Sequence, residues 1–340
     1  MASHIPVFGL DLCSPTARLV VAKQRGFSVH VRRLQDIPLV ESGIETGTVE
    51  SSRLGASLKR ALQPFLRHIP HAAVVAIPDT QSYTFTIALR KDAQSDPEEA
   101  IRWEAGQHIP FELSELSLDW QTLRSTPEGD IIQVVAAAKT LVATYCDALE
   151  RAGITTVIVA PASVACLNAL KPPKDVESPR IVMLLDRSLT TIMGLVGEDL
   201  LLTTTTAYGT GARIHEILKR ELSLDDIEAQ KTLQLCGVDP TVSRGIVRKA
   251  LSSELEHLKA LVQQMQQFLE HERGRPCTTL EIIGEEAQLK ALDQELAHLS
   301  GMQTKVADLA FTPITRARKE HSLTPNTSIV ALSAALYPQN

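Results

Sequence analysis

The sequence predicts a two-domain α/β fold built from two related halves. An apolar strand with an aspartate at its end, followed by a turn that contains Ser or Thr, occurs at Val7–Leu12 and again at Ile181–Asp186. In both places a strand, a glycine turn and another strand follow. The stretch Lys171–Pro179 has prolines, charges and no apolar periodicity, which is typical of a linker. A unit repeated over this distance indicates two similar halves.

The first half is expected to open with strands and one helix. The predicted strands are Val7–Leu12, Arg18–Gln24, Val29–Gln35, Ala72–Ile77 and Tyr83–Leu89. Leucines at helical spacing predict a helix over Ser51–His68. Pro64 is expected either to kink this helix or to lie in a new turn, because proline cannot donate a helical hydrogen bond.

A polar and apolar cluster follows, at Ile101–Leu123. This stretch indicates the end of a helix, a proline turn and a strand, and Asp96 is positioned to cap the helix. A hairpin and the helix Leu141–Arg151 come next. We expect a small α+β subdomain that forms a surface, with Phe111 as its anchor. The candidate residues for a partner surface are Glu104, Gln107, His108, Ile109, Pro110 and Phe111.

In the second half, a hairpin is followed by several helices. Ser223 is expected to cap one of them, with Asp226 at the capping-box position. The predicted helices are Ala212–Leu222, Ile246–Glu272, Glu285–Leu299 and Ser328–Leu336. The segment Phe311–Ser328 is predicted to be a polar loop.

Composition excludes several classes of function. The net charge of −6 does not suit a nucleic-acid backbone, and an aromatic content of 4% gives little for bases to stack on. The cysteines are dispersed, without the spacing of a zinc site, which is typical of the reducing cytosol. We expect no signal peptide and no membrane-spanning segment, because no run of about 18 apolar residues occurs.

Several short motifs resemble those of one family. They are Gly9-Leu10-Asp11-Leu12-Cys13-Ser14, Trp103-Glu104-Ala105, Ile109-Pro110-Phe111, Leu118-Asp119-Trp120-Gln121, Gly209-Thr210-Gly211, Glu228-Ala229-Gln230 and the closing helix Ser328–Leu336. Together they resemble the PilM family, the actin-like proteins of type IV pilus assembly, within the actin and sugar-kinase superfamily. The Ile-Pro-Phe segment is the most specific of these motifs.

The resemblance implies an FtsA-like fold of two RNase H-like halves with an inserted α+β subdomain. The expected divisions are 1–175 for the first half (core 1–90 and 150–170, insertion about 91–149), 176–327 for the second half (helical subdomain about 223–275) and 328–340 for a closing helix. The resemblance also implies a groove for the cytoplasmic N-terminal tail of a PilN-like membrane protein. The implied location is beneath the inner membrane, between a PilO-containing complex and the pilus motor ATPases, with roles in twitching motility and competence.

The family's nucleotide site is only partly preserved in this chain. Residues carried over from the resemblance are Asp11, Ser14, Thr16, Arg18, Asp186, Thr190, Gly209, Gly211, Gln230 and Gly284, with Asp11 and Asp186 as the Mg²⁺ residues if ATP binds. Cys13 and Ser188 replace glycines, and Pro15 removes a backbone donor. Glu285 and Glu286 add negative charge where an anionic ligand would bind, whereas Arg187 could pair with a phosphate.

These changes favour a scaffold with a degenerate nucleotide site and no catalytic residues over an enzyme. Two alternatives stay open. The first is an active actin-like ATPase that binds Mg-ATP and can polymerise, as FtsA relatives do. The second is the cytoplasmic part of a GspL-like platform protein of type II secretion, a family that continues into a membrane span.

Overall fold

The computed structural model describes residues 6–13, 16–42, 44, 49–90, 97–315 and 328–336. The strands are β1 (Val7–Asp11), β2 (Thr16–Arg25), β3 (Ser28–Pro38), β4 (Ala72–Ile77), β5 (Ser82–Arg90), β6 (Leu116–Ser125), β7 (Gly129–Ala138), β8 (Thr155–Pro161), β9 (Pro179–Leu185), β10 (Thr190–Val196), β11 (Asp199–Thr206), β12 (Thr279–Ile283), β13 (Gln303–Val306) and β14 (Thr312–Thr315). The helices are α1 (Ser51–Leu62), α2 (Pro97–His108), α3 (Lys139–Arg151), α4 (Ala162–Leu167), α5 (Gly211–Leu222), α6 (Asp226–Cys236), α7 (Ile246–Ala250), α8 (Ser252–Arg273), α9 (Leu292–Ser300) and α10 (Ile329–Leu336).

Two sheets repeat the same arrangement of strands. The first has the order β14-β3-β2-β1-β4-β8, and the second has β13-β12-β9-β10-β11-β5-β7-β6. In the first sheet β3, β2 and β1 pair antiparallel, and β1, β4 and β8 pair parallel. In the second sheet β11, β10 and β9 pair antiparallel, and β9, β12 and β13 pair parallel. The shared topology confirms the predicted α/β fold of two related halves.

Strands that precede the linker extend the second sheet. β5 joins β11 at Phe85 and Leu202, and the Thr86 hydroxyl donates to the carbonyl of Leu200 at 2.5 Å. α3 lies against α1 and buries Tyr145 in the core of the first sheet. The expected domain divisions remain a prediction, because this sheet continuity does not by itself define a boundary.

The helix α10 lies in the interior, where it contacts β1, β2, β4 and α4. All its residues are buried, and their core includes Val182 and Leu184 of the second sheet. Gly9 makes this packing possible. A Cβ at Gly9 would overlap the carbonyl oxygen of Ala331 and the amide nitrogen of Ala335, so only glycine lets α10 approach β1 so closely.

Several predicted helices are shorter than expected. The helix expected over Ser51–His68 ends at Leu62, and Pro64 lies in the following turn. The helix expected over Ile246–Glu272 is interrupted at Leu251, whose φ of −93° and ψ of 8° depart from helical values while its side chain is buried. The helix expected over Glu285–Leu299 is a short 3-10 turn and then α9, because Ala291 adopts a φ of 62°.

Two further expectations about the second half were wrong. Asp225, with Glu228, caps α6, and Ser223 instead ends α5 with a φ of 54°. The segment predicted as loop contains β14, which pairs with β3. Asp96, the expected helix cap, lies outside the described residues.

Candidate functional site

There are two candidate sites. The first, called the cleft here, is the junction of the two halves around Asp11 and Asp186. The second is the surface formed by α2 and the turn after it. In the cleft, the repeated aspartates lie at the ends of the equivalent strands β1 and β9 and are both buried. The Asp11 carboxylate accepts from the amide of Cys13 at 2.9 Å, and the Asp186 carboxylate accepts from the amide of Arg187 at 2.7 Å. Each aspartate therefore stabilises its own turn.

Arg18 connects the two halves through carboxylates. Its guanidinium lies 3.2 Å from Asp36 and 3.3 Å from Asp186, and it also pairs with Glu285. Asp186 and Glu285 belong to the second half, so one buried cation holds residues from both sides of the cleft. The Ser188 hydroxyl adds a second link by donating to the carbonyl of Cys13 at 2.7 Å. Because Arg18 is shared among three carboxylates, little of its charge remains for a bound phosphate.

The electrostatics of Asp11 reflect this crowding. Burial and the nearby Asp186 carboxylate raise the pKa of Asp11 to about 6, against the opposing effects of Arg18 and the Cys13 amide. The Asp11 carboxyl group therefore loses its proton less readily than an ordinary aspartate does.

The N-terminus of α5 already has a carboxyl group of the protein beside it. Gly211 opens this helix, and a Cβ at Gly211 would overlap a carboxylate oxygen of Glu286. Glu286 is 8% exposed. Burial, together with Glu285 and Asp186, raises its pKa to about 7, although Arg187 and Arg18 act in the opposite direction. A helix N-terminus attracts negative charge, and here a side chain of the protein provides it.

Beside this helix lies a cavity of about 800 Å³. Its lining includes Arg187, Gly211, Gln230, Glu285 and Glu286. The structure therefore brings together two predicted nucleotide residues, Gly211 and Gln230, with the arginine and the glutamates that the sequence singled out. The Glu286 carboxyl group lies where a ligand would have to approach Gly211.

Several other predicted nucleotide residues are not among those that line this cavity. The Gly209 amide donates to the buried Glu254 at 3.0 Å, and a Cβ at Gly284 would overlap the carbonyl oxygen of Leu185. Thr190 is buried on β10, and Thr16 is half-buried at the start of β2. Ser14 lies outside the described residues. Among the residues that are described, no group of three or more His, Cys, Asp or Glu is arranged to hold a metal ion.

Sequence reasoning missed Asp79. This buried aspartate follows β4 and accepts from the amide and hydroxyl of Ser163 and from the hydroxyl of Thr191 at 3.0 Å. It thereby ties β4 to α4 and to β10 of the second half. The signal was available in the sequence, because Asp79 follows a buried strand as Asp11 does.

The second candidate site is the surface on α2 and the turn after it. Phe111 is 56% exposed, so the expectation that it anchors the subdomain was wrong. Ile109 has that role instead: it is 5% exposed and packs with Phe85 and Ile87. The rings of Tyr83 and Phe111 lie 6.0 Å apart.

The rest of this surface is polar and largely accessible. Gln107, His108 and Pro110 are exposed, and Glu104 is half-buried. The His108 ring stacks on Phe85 at 4.8 Å. Trp103, which is 64% exposed, was not among the predicted partner residues, although the motif that pointed to this segment contains it. Two accessible aromatic rings on one short segment are typical of binding surfaces.

Known proteins share both the fold and the sequence pattern. A family model described as "Type IV pilus assembly protein PilM" matches residues 9–336. A solved PilM-PilN type IV pilus biogenesis complex contains a chain that is 21% identical, with a TM-score of 0.76, and the match covers 99% of this chain and 100% of that one.

More distant structures share the fold. The ethanolamine utilization protein EutJ from Carboxydothermus hydrogenoformans has a TM-score of 0.53 at 15% identity, over 97% of this chain and 89% of that one. MreB of Spiroplasma citri bound to AMPPNP has a TM-score of 0.52 at 9% identity, over 99% and 97%. These neighbours have the actin-like ATPase fold, which is the fold of this chain.

The described part of the chain includes no helix that is both long enough and apolar enough to cross a bilayer. The duplicated topology, the cleft between the halves and the family match over residues 9–336 lead to one conclusion. The chain belongs to the PilM family of type IV pilus assembly proteins.

Proposed function

We propose that this chain is a cytoplasmic scaffold of the type IV pilus assembly platform, and that it holds the N-terminal tail of a PilN-like membrane protein. The observation that supports this most is the family match over residues 9–336. The similar solved chain comes from a PilM-PilN complex, which supports a PilN-like partner for this chain as well.

The surface on α2 and the turn after it has the features that such a tail needs. Trp103 and Phe111 are exposed rings that can hold apolar side chains. Exposed carboxylates on and after the helix favour a tail that also carries basic residues; they include Glu99, Glu112 and Glu115. β6 is the last strand of its sheet, so its outer edge can pair with an extended peptide.

Calorimetric titration with the N-terminal peptide of a PilN-like protein encoded beside this chain tests the proposal. We expect binding in the micromolar range, weakened roughly tenfold by Trp103→Ala or Phe111→Ala, because each change removes an aromatic anchor. Leu235→Ala, at an exposed residue of α6, is the matched control and should leave the affinity unchanged. No heat of binding at high micromolar peptide would argue against the scaffold.

We further infer that the nucleotide site is degenerate and that the protein is not an ATPase. The Glu286 carboxylate beside Gly211 and the sharing of Arg18 among carboxylates support this inference. The alternative is an active actin-like ATPase. The cavity of about 800 Å³ and the retained Asp11 and Asp186 favour that alternative.

The proposed location is peripheral, at the cytoplasmic face of the inner membrane, through the PilN-like partner. A PilO-containing complex and the pilus motor ATPases are proposed as further partners. Twitching motility and competence are the processes that this assembly would serve.

A further inference from the structure

The tip of the hairpin formed by β2 and β3 presents a single aromatic ring. The two strands pair as far as Arg25 and Ser28, and Gly26 and Phe27 form the turn. Phe27 is 88% exposed. Its carbonyl accepts from the amide of Thr312 at 2.9 Å, so the backbone of the tip is held against the start of β14 while the ring projects outward.

Exposed basic side chains lie along this hairpin. Lys23 and Arg25, two positions apart on β2, point to the same face of the hairpin, and Arg32 is exposed on β3. Within the described ranges, none of these three forms an ion pair with a carboxylate. By contrast, the guanidinium of Arg33 lies over the ring of Phe65 at 5.2 Å.

The charge of this hairpin is opposite to that of the chain. The chain as a whole has a net charge of −6. No Asp or Glu occurs between Leu12 and Gln35, whereas Arg18, Lys23, Arg25, Arg32 and Arg33 do. The Arg18 guanidinium is paired with carboxylates of the cleft. The positive field of the hairpin therefore arises from the basic residues nearer its tip. A local basic patch on an otherwise acidic protein is attracted to anionic surfaces, and this attraction turns the patch toward them.

We propose that the tip of the β2–β3 hairpin contacts an anionic phospholipid surface. Phe27 enters the interface between headgroups and acyl chains, and Lys23, Arg25 and Arg32 bind the phosphate groups. Apolar side chains such as Phe are buried at this boundary in proteins that bind membrane surfaces, and basic side chains near them strengthen attachment to anionic lipids. A nucleic acid is less well matched, because one ring on a convex tip gives no row of stacking platforms.

This contact is of modest strength, sufficient to hold the chain on anionic vesicles at high lipid concentration, and it is independent of the PilN-like tail. Each basic residue near an anionic bilayer strengthens binding by about fivefold, and one aromatic ring adds a limited apolar area. The hairpin therefore orients a molecule that another interaction already brings to the membrane.

Flotation with phospholipid vesicles tests this proposal on the full chain. We expect wild type to float with phosphatidylglycerol vesicles, to remain behind with neutral phosphatidylcholine vesicles, and to dissociate as salt is raised. Phe27→Ser should weaken binding to the vesicles roughly tenfold. The double variant Lys23→Glu/Arg25→Glu should weaken it by at least about 25-fold, because two favourable charges are lost and reversed. Ile227→Ser and Lys231→Glu, at exposed residues of α6, are matched controls that should float as wild type does.

A fluorescent variant locates the contact. Phe27→Trp should be quenched by brominated lipids, while the native Trp103 and Trp120 of the wild-type chain should not be. Failure of wild type to float with anionic vesicles would overturn the proposal. Equal loss of flotation in the tip variants and the α6 controls would overturn it too. So would a gel-shift assay in which the chain binds RNA through the tip while it fails to bind vesicles.

Discussion

At the scale of single residues, paired charges are the main feature of the cleft. Arg18 is shared among Asp36, Asp186 and Glu285, and Glu286 lies beside Gly211. The sequence allowed the repeated aspartates and the glutamate pair to be identified. It could not show that Asp36 and Glu285 converge on one arginine, because they are far from each other in the chain and no local pattern encodes their meeting.

Glu286 should make the folded state less stable as pH rises. Its pKa of about 7 in the folded protein exceeds the ordinary value of 4.5, so the folded state binds its proton more tightly than the unfolded state does. Stability is therefore lost as pH increases from about 4.5 to about 7. At about pH 8, Glu286→Gln should raise the free energy of unfolding by on the order of 2–3 kcal/mol, and at about pH 5 the gain should largely disappear.

Urea unfolding of wild type and Glu286→Gln at the two pH values measures this difference. Glu216→Gln, at an exposed residue in the lining of the same cavity, is the control and should not reproduce the effect. Equal unfolding free energies for wild type and Glu286→Gln at both pH values would show that the Glu286 carboxylate is not destabilised by its surroundings.

At the scale of elements, the fold depends on α10 and on the segment from α2 to β6. α10 lies against β1 and also shares a core with the second sheet, so it joins the two halves. The segment from α2 to β6 is tied down by Ile109 and presents Trp103 and Phe111 to solvent.

Gly9→Ala should displace α10. The added methyl would overlap the backbone of Ala331 and Ala335, and backbone cannot move as a flexible side chain can. We expect a loss of roughly 3 kcal/mol or more in unfolding free energy. Gly106→Ala is the matched control, because a Cβ there meets only the Leu113 side chain at 3.4 Å and alanine favours the helix. Thermal unfolding of both variants distinguishes them, and equal melting temperatures would contradict the packing of α10.

Ile109→Ala should lower the stability of the fold, whereas Phe111→Ala should weaken binding of the tail and leave the stability nearly unchanged. Ile109→Ala removes a buried side chain and should cost about 3 kcal/mol of unfolding free energy. Phe111→Ala should cost less than about 1 kcal/mol, because its ring is largely in solvent. Chemical denaturation of the two variants measures both values. A large loss of stability in Phe111→Ala would mean that the ring supports the subdomain after all.

Local patterns predicted most elements but not their junctions. The buried strands and long amphipathic helices were found because their periodicity is strong. The break at Leu251 was missed because apolar spacing continues through it, and only packing forces the change of direction. β14 was missed because Thr312–Thr315 is short, contains proline, and becomes a strand only by pairing with β3. Ser223 and Asp225 are both good caps by residue type, and only the backbone geometry chooses between them.

At the scale of the whole molecule, two sheets with the same core topology meet at a cluster of paired charges around Arg18. This predicts that Mg-ATP does not stabilise the chain. A ligand that binds the folded state and saturates it adds a few kcal/mol by mass action, which would raise the melting temperature by a few degrees. A thermal-shift assay at millimolar Mg-ATP should show no change. A clear rise would favour the active ATPase.

The most direct test of the scaffold proposal is to find which residues of the chain the PilN-like tail protects from hydrogen exchange. Hydrogen–deuterium exchange of the full chain, with and without the N-terminal peptide, measures this residue by residue. The account predicts slower exchange on binding in the segment from α2 through β6, around Trp103 and Phe111, and no change around Gly211 and Gln230. Protection confined to the cavity beside Gly211, or no protection anywhere at saturating peptide, would contradict it.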